Sequence, residues 1–209
     1  MIPADYPQVS ARRKLQAAPW FIIAVVVLSG LGMLPGQGEG GAKPHRGGGA
    51  TRQLAPAAAA RADIPGGYLE LYRAATKQHC PGLSWAILAG VGKVESNHGR
   101  AQLPGVRSGL NSAGCCAGPM QFNLTDGPPS TWATYGRGSP YNPADAIPAA
   151  ARKLCADGGA HPGGLVPAIA GYYGGTTANP TTAAYVAHVR CAARAYGGGT
   201  VRDLTRCFA

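Results

Sequence analysis

All six cysteines of this 209-residue chain (Cys80, Cys115, Cys116, Cys155, Cys191 and Cys207) lie beyond residue 79, and no other feature restricts its folding more. An even number gathered in one part of a chain reads as a disulfide-stapled domain outside the reducing cytoplasm, with many pairings open. Adjacent Cys115 and Cys116 are not expected to pair with each other, because a ring closed by neighbouring residues is strained. Zinc is the competing use for cysteine. The sequence has no C-x-x-C and no H-E-x-x-H, so no metal site is expected.

The N-terminal part agrees with export. Arg12, Arg13 and Lys14 precede the apolar run AAPWFIIAVVVLSGLGML at residues 17–34. A positive flank followed by such a run is an export signal or a membrane anchor. The run approaches the ~20 residues of a typical span, and no A-x-A-like cleavage site follows directly, which favours the anchor. Residues 1–16 then form a basic cytoplasmic N-terminus and 17–34 a transmembrane anchor or signal segment. Residues 35–62, PGQGEGGAKPHRGGGATRQLAPAAAARA, have almost no large apolar side chains. They cannot bury enough surface to offset chain entropy, so a disordered linker is expected, holding residues 63–209 off the outer face of the membrane.

Charge excludes little but ranks the partners. Residues 1–62 carry seven Lys/Arg against two acids and residues 63–209 carry twelve against seven, so each part holds +5 of the net +10. A positive charge spread this evenly suits weak attraction to anionic polymers such as cell wall. No basic run is interleaved with aromatics, so nucleic acid is not expected as a partner.

From Ile64 onward the periodicity is helical. Helices are predicted near 66–79, 84–97, 130–135, 143–157, 164–173 and 181–196. Ser84 is placed to cap the second, Pro143 to start the fourth, and Thr181–Thr182 to open the last. Tyr185, Val186, Val189 and Ala193 form a core-facing stripe. Strand signals are poor, so the class is mainly α, with glycine-rich loops lining a cleft. About 140 residues suffice for one core without metal or cofactor.

The chemistry concentrates in residues 85–100, WAILAGVGKVESNHGR. Leu88, Val91 and Glu95 share one helix face, which puts a carboxyl group at the end of a buried stripe. Partial desolvation there favours the protonated acid, the form that donates a proton during glycosidic cleavage. Beyond residue 62 the only glutamates are Glu70 and Glu95.

The segments ILAGVGKVESNHGR, AGPMQF, STWATYG, DAIPAAARKLCADG and GYYGG-x₉-YVAHV resemble, in that order, the lytic transglycosylases of lysozyme-like fold. They are most similar to the actinobacterial branch near the membrane-bound murein transglycosylase B group. The resemblance covers about residues 66–197 and implies a lysozyme-like (goose-type) helical domain, a monomer, with a glycan-binding cleft. It implies Glu95 as the single catalytic acid/base, with Ser96, Gln121, Met120, Tyr172 and Tyr173 toward substrate. Ser96 would orient the carboxyl or bind sugar, Gln121 would offer its amide, and Met120 would form cleft wall or core. Tyr172 matches the tyrosine of a Y-N-A-G motif and could hydrogen-bond the acid or the sugar, whereas Tyr173 stands where asparagine is usual. His98 reads as a polar loop residue beyond the helix end. Asp126, in the extra segment NLTDGPP, reads as a surface aspartate. The implied activity is cleavage of the bond between N-acetylmuramic acid and N-acetylglucosamine in peptidoglycan, leaving 1,6-anhydro ends, with no cofactor. A goose-type hydrolase using Asp126 or another acid to activate water, and a feebly active wall-binding part of a secretion machine, remain as alternatives. Relatives carry cysteines at places matching Cys80 and Cys155, so the resemblance implies that pair.

Overall fold

The structure, a computed structural model, describes residues 55–127 and 130–209. The expected basic N-terminus, membrane segment and most of the linker lie outside the described residues. Among the described residues, no helix is long and apolar enough to cross a membrane. These residues are mainly helical: α1 (Ala58–Asp63), α2 (Gly66–His79), α3 (Trp85–Ser96), α4 (Thr131–Tyr135), α5 (Pro143–Ala156), α6 (Leu165–Tyr173), α7 (Pro180–Gly198) and α8 (Val201–Arg206). Two short antiparallel strands, β1 (Cys116–Ala117) and β2 (Phe122–Asn123), pair Cys116 with Asn123 and Ala117 with Phe122.

The buried helix is α3. Trp85, Leu88, Ala89 and Val91 are inaccessible, and the helix packs against α7, α2 and α5. Glycine permits the closest approach: a Cβ on Gly90 would stand 2.5 Å from the Val189 carbonyl oxygen of α7. The helix starts where Ser84 Oγ accepts from the Ala86 amide. It ends because Asn97, His98 and Gly99 take left-handed φ values of 51°, 56° and 75° in succession. The Asn97 and His98 amides then close on the Lys93 and Gly92 carbonyls, satisfying acceptors that a helix end otherwise leaves unpaired. The stripe Tyr185, Val186, Val189 and Ala193 is buried as expected.

Several expectations need correction. The linker does not run to residue 62: residues 58–63 form α1, which packs on α7 and α8 with Ala59 and Ala60 fully buried. Alanine is small enough to bury without a large side chain, so low bulk did not mean low packing. The last long helix opens one residue early on Pro180, with Asn179 Oδ1 accepting from the Thr181 and Thr182 amides. Helix α8 went unanticipated, although Thr200 and Asp203 form a reciprocal capping box.

Cysteine pairing is partly as expected. Cys80 and Cys155 are placed as a disulfide with Cα atoms 5.3 Å apart, and so are Cys191 and Cys207 at 5.6 Å. Cys115 and Cys116 are also placed as a pair, at a Cα separation of 3.7 Å, against the expectation that neighbours would not join. Asn111 braces this segment. Its Oδ1 accepts from both the Cys115 and Cys116 amides, and its own amide donates to the Cys116 carbonyl, coiling the chain tightly at this point.

Candidate functional site

Glu95 occupies the last turn of α3 and is partly buried. Its Oε1 accepts a 2.5 Å hydrogen bond from the Tyr185 hydroxyl of α7. No other hydrogen bond to this carboxyl is present among the described residues. Burial raises its pKa from 4.5 to about 7, and the Tyr185 bond, which favours the ionised form, offsets only part of that. Near neutral pH the group is therefore divided between acid and base, as a group that must both give and take a proton requires. Tyr173, from the end of α6, lies over the Tyr185 ring with centroids 4.7 Å apart and planes inclined at 30°.

The G-P-M-Q segment is the loop of the β1–β2 hairpin. Gly118, at φ 80°, and Gln121, at φ 47°, both lie in the left-handed region, so the bend spends strain at a non-glycine residue. Three helices hold the loop or neighbour it. Ser96 of α3 donates to the Pro119 carbonyl at 2.6 Å, and Tyr172 of α6 donates to the Met120 carbonyl at 2.9 Å. Phe122 meets the rings of Trp132 in α4 and Tyr172 edge-on. The Gln121 amide is itself committed: Nε2 donates to the Gly118 carbonyl at 2.8 Å and Oε1 accepts from Asn111 Nδ2 at 3.3 Å. One Nε2 hydrogen remains for a ligand.

The residues expected at the site lie at the end of α3, in the hairpin loop and at the end of α6. Ser96 is fully buried; its Oγ bridges the Pro119 carbonyl and the Gly99 amide, so it joins the hairpin to the helix end. Met120 is likewise inaccessible and belongs to the core. Tyr172 spends its hydroxyl on the hairpin rather than on the acid, and burial raises its phenol well above the usual range. Of the assigned residues, Glu95, Gln121, Tyr172 and Tyr173 keep some accessible surface.

Two groups were missed. Tyr185 was read as core, which it is at 1% exposure, yet its hydroxyl holds the acid. Sequence held one hint: a phenol on an otherwise apolar stripe needs a polar partner somewhere inside. His98 does follow the helix end, in the turn beyond Ser96, but it is buried there. At 1% exposure it lies between the Tyr72 and Tyr196 hydroxyls, each 2.9 Å from a ring nitrogen, and burial pushes it down to about 4, against the pull of Asp63. It is neutral near pH 7. With Tyr196 donating to Asp63, the network assigns the proton to Nε2 and leaves Nδ1 to accept from Tyr72.

The other six acidic side chains among the described residues are engaged elsewhere. Asp63 pairs with Lys93 and Arg100, Glu70 with Arg73, and Asp157 with Lys153. Asp126 is exposed and turned into a local bond with Asn123. Asp145 accepts from Ser139 and Asn142, and Asp203 caps α8. Glu95, by contrast, is a carboxyl with a raised pKa and, among the described residues, a single hydrogen-bonding partner. No family model, curated protein or solved structure matches this chain.

Proposed function

We propose that residues 58–209 form a lysozyme-like helical domain that acts as a peptidoglycan lytic transglycosylase, held at the outer face of the membrane by the N-terminal segment. The observation that carries the reading is Glu95, a carboxyl poised at about 7 with Tyr185 on one oxygen. Its second oxygen is the natural carrier of the proton. Glu95 gives that proton to the glycosidic oxygen between N-acetylmuramic acid and N-acetylglucosamine, the muramyl C1–O bond breaks, and positive charge spreads over C1 and the ring oxygen. The carboxylate then takes the proton of the muramyl C6 hydroxyl, whose oxygen closes on C1 to give the 1,6-anhydro ring. The nucleophile is part of the substrate, so proximity replaces the second carboxylate that ordinary glycosidases place across the bond. The commitment of the other described acids to ion pairs, caps and turns supports a single-acid mechanism over one in which Asp126 activates water.

Mass spectrometry of peptidoglycan digested by the full chain tests this. Anhydromuropeptides that disappear with Glu95→Gln are expected. Reducing-end muramic acid in their place would make the protein a hydrolase, and soluble products made equally well by the variant would remove Glu95 from the reaction.

A further inference from the structure

A second bonded cluster gathers around the Asp63 side chain, at the end of α1. Asp63 Oδ1 accepts from Lys93 Nζ at 2.8 Å and from Arg100 Nη2 at 3.0 Å. Oδ2 accepts from the Tyr196 hydroxyl at 2.5 Å and lies 3.4 Å from His98 Nε2. Lys93, His98 and Arg100 bracket Glu95 in sequence, two residues before it and three and five after it. In an α-helix two positions are turned by about 200°, so Lys93 leaves α3 on the side away from Glu95. Asn97 ties the same turn further, its Oδ1 accepting from both Lys93 Nζ and Arg100 Nη2 at 2.8 Å. The α1 helix is itself pinned at its other end, where the Ala57 amide donates to the Tyr196 carbonyl.

We propose that Asp63 is a positioning residue for the Glu95 carboxyl, locking the last turn of α3 from the face opposite the acid and making α1 a working part of the active site. The proposal rests on the catalytic role given to Glu95 above. The turn carrying the acid is then held on three sides: by Asp63 behind, by Ser96 to the hairpin, and by Tyr185 in front. A partly buried carboxylate among cations adds little net stability compared with apolar packing, but it fixes geometry, because each bond has one direction and one length. The clamp stays shut across the working range. Lys93, Tyr196 and His98 hold Asp63 far below the usual carboxylate range despite its burial. His98, faced by Asp63 from α1, Tyr68 and Tyr72 from α2, Lys93 from α3, Arg100 from the turn after α3, and Tyr196 from α7, stays neutral. The three consecutive left-handed residues 97–99 place His98 and Arg100 where Asp63 can reach them.

The test compares the full chain with Asp63→Asn and Arg100→Met. The readings are kcat and KM for muropeptide release from peptidoglycan, the Glu95 titration midpoint from carboxyl carbon NMR, and the melting temperature. Asp63→Asn is expected to lower kcat by about 10- to 100-fold, as displacement of a reacting group does, with KM changed by less than about 2-fold. The Glu95 midpoint is expected to move from its wild-type value. An Asp63 with only a structural part would lower the melting temperature and leave kcat and the midpoint of the folded protein as they were, which overturns the proposal. Should Asp63→Asn fail to fold, Arg100→Met decides: it removes the bonds of an exposed side chain to Asp63 Oδ1 and to Asn97, and an unmoved Glu95 midpoint overturns the proposal there too. If the wild-type chain releases no muropeptides, the catalytic reading fails, while the midpoint comparison still says whether Asp63 sets the surroundings of Glu95.

Discussion

Glutamine at position 95 should abolish the chemistry and strengthen the fold, and the second effect is measurable without any substrate. Burial holds the Glu95 pKa at about 7, against 4.5 in the unfolded chain. A carboxyl whose pKa is raised by folding binds its proton more tightly in the folded state. It therefore costs nothing well below pH 4.5, and the cost grows as pH rises through the window to about 7 and levels off above it. A difference of this size corresponds to about 3 kcal/mol at pH 8, falling below about 1 kcal/mol at pH 5. Glutamine has the same shape, can accept the same Tyr185 bond and carries no charge, so Glu95→Gln should recover most of that difference. Urea denaturation of both proteins at pH 5 and pH 8 measures it. The difference between the proteins cancels the other titrating groups, among them His98, whose depressed pKa erodes stability as pH falls from 6.5 to about 4. A gain for the variant that is the same at both pH values, or absent at pH 8, would mean that the carboxyl is not desolvated and would refute the account of its acidity. In the activity assay the same substitution is expected to cost on the order of 10³-fold in turnover, since proton donor and acceptor are one group.

Other outcomes follow from single bonds. Tyr185→Phe removes the donor that favours the ionised acid, so the Glu95 midpoint in carboxyl carbon NMR should rise by about one to two units, given ~1.5–3 kcal/mol for a hydrogen bond to a charged group. Ser96→Ala strands the buried Pro119 carbonyl and the Gly99 amide, and chemical denaturation should show a loss of about 1–3 kcal/mol. Replacing Cys80 and Cys155 together by serine opens a loop with a sequence separation of 75. On the chain-entropy argument this should cost about 4 kcal/mol, whereas Cys115 and Cys116, adjacent in sequence, close almost no loop and should cost far less. Denaturant midpoints of the two double variants decide between these expectations.

Much of this architecture was legible in one dimension, and the failures share a cause. Helix α3, its Ser84 cap and its terminal glutamate follow from local rules: apolar spacing, a capping hydroxyl, and a stop before glycine. Glu95 was found because an acid ending an apolar stripe is a conflict visible in a string of letters. Sequence order says which residues gather, not which way each faces, so it leaves Ser96 and Tyr172 between carboxyl and sugar and Met120 between cleft wall and core. Once the hairpin loop is closed, those groups are consumed in holding it, through bonds spanning 23 and 52 residues.

What the sequence determined by itself is the helical class, the confinement of the cysteines, and the position of the one acid whose surroundings would keep its proton. Tertiary structure alone decided that Tyr185, 90 residues away, supplies the hydrogen bond on that acid, and that Asp63 reaches behind it to Lys93, His98 and Arg100. The physical reason is range. Helix periodicity and capping are settled within a few residues, whereas desolvation and hydrogen-bond partnership depend on which surfaces meet, and the packing of α1 and α7 against the rest of the fold settles that.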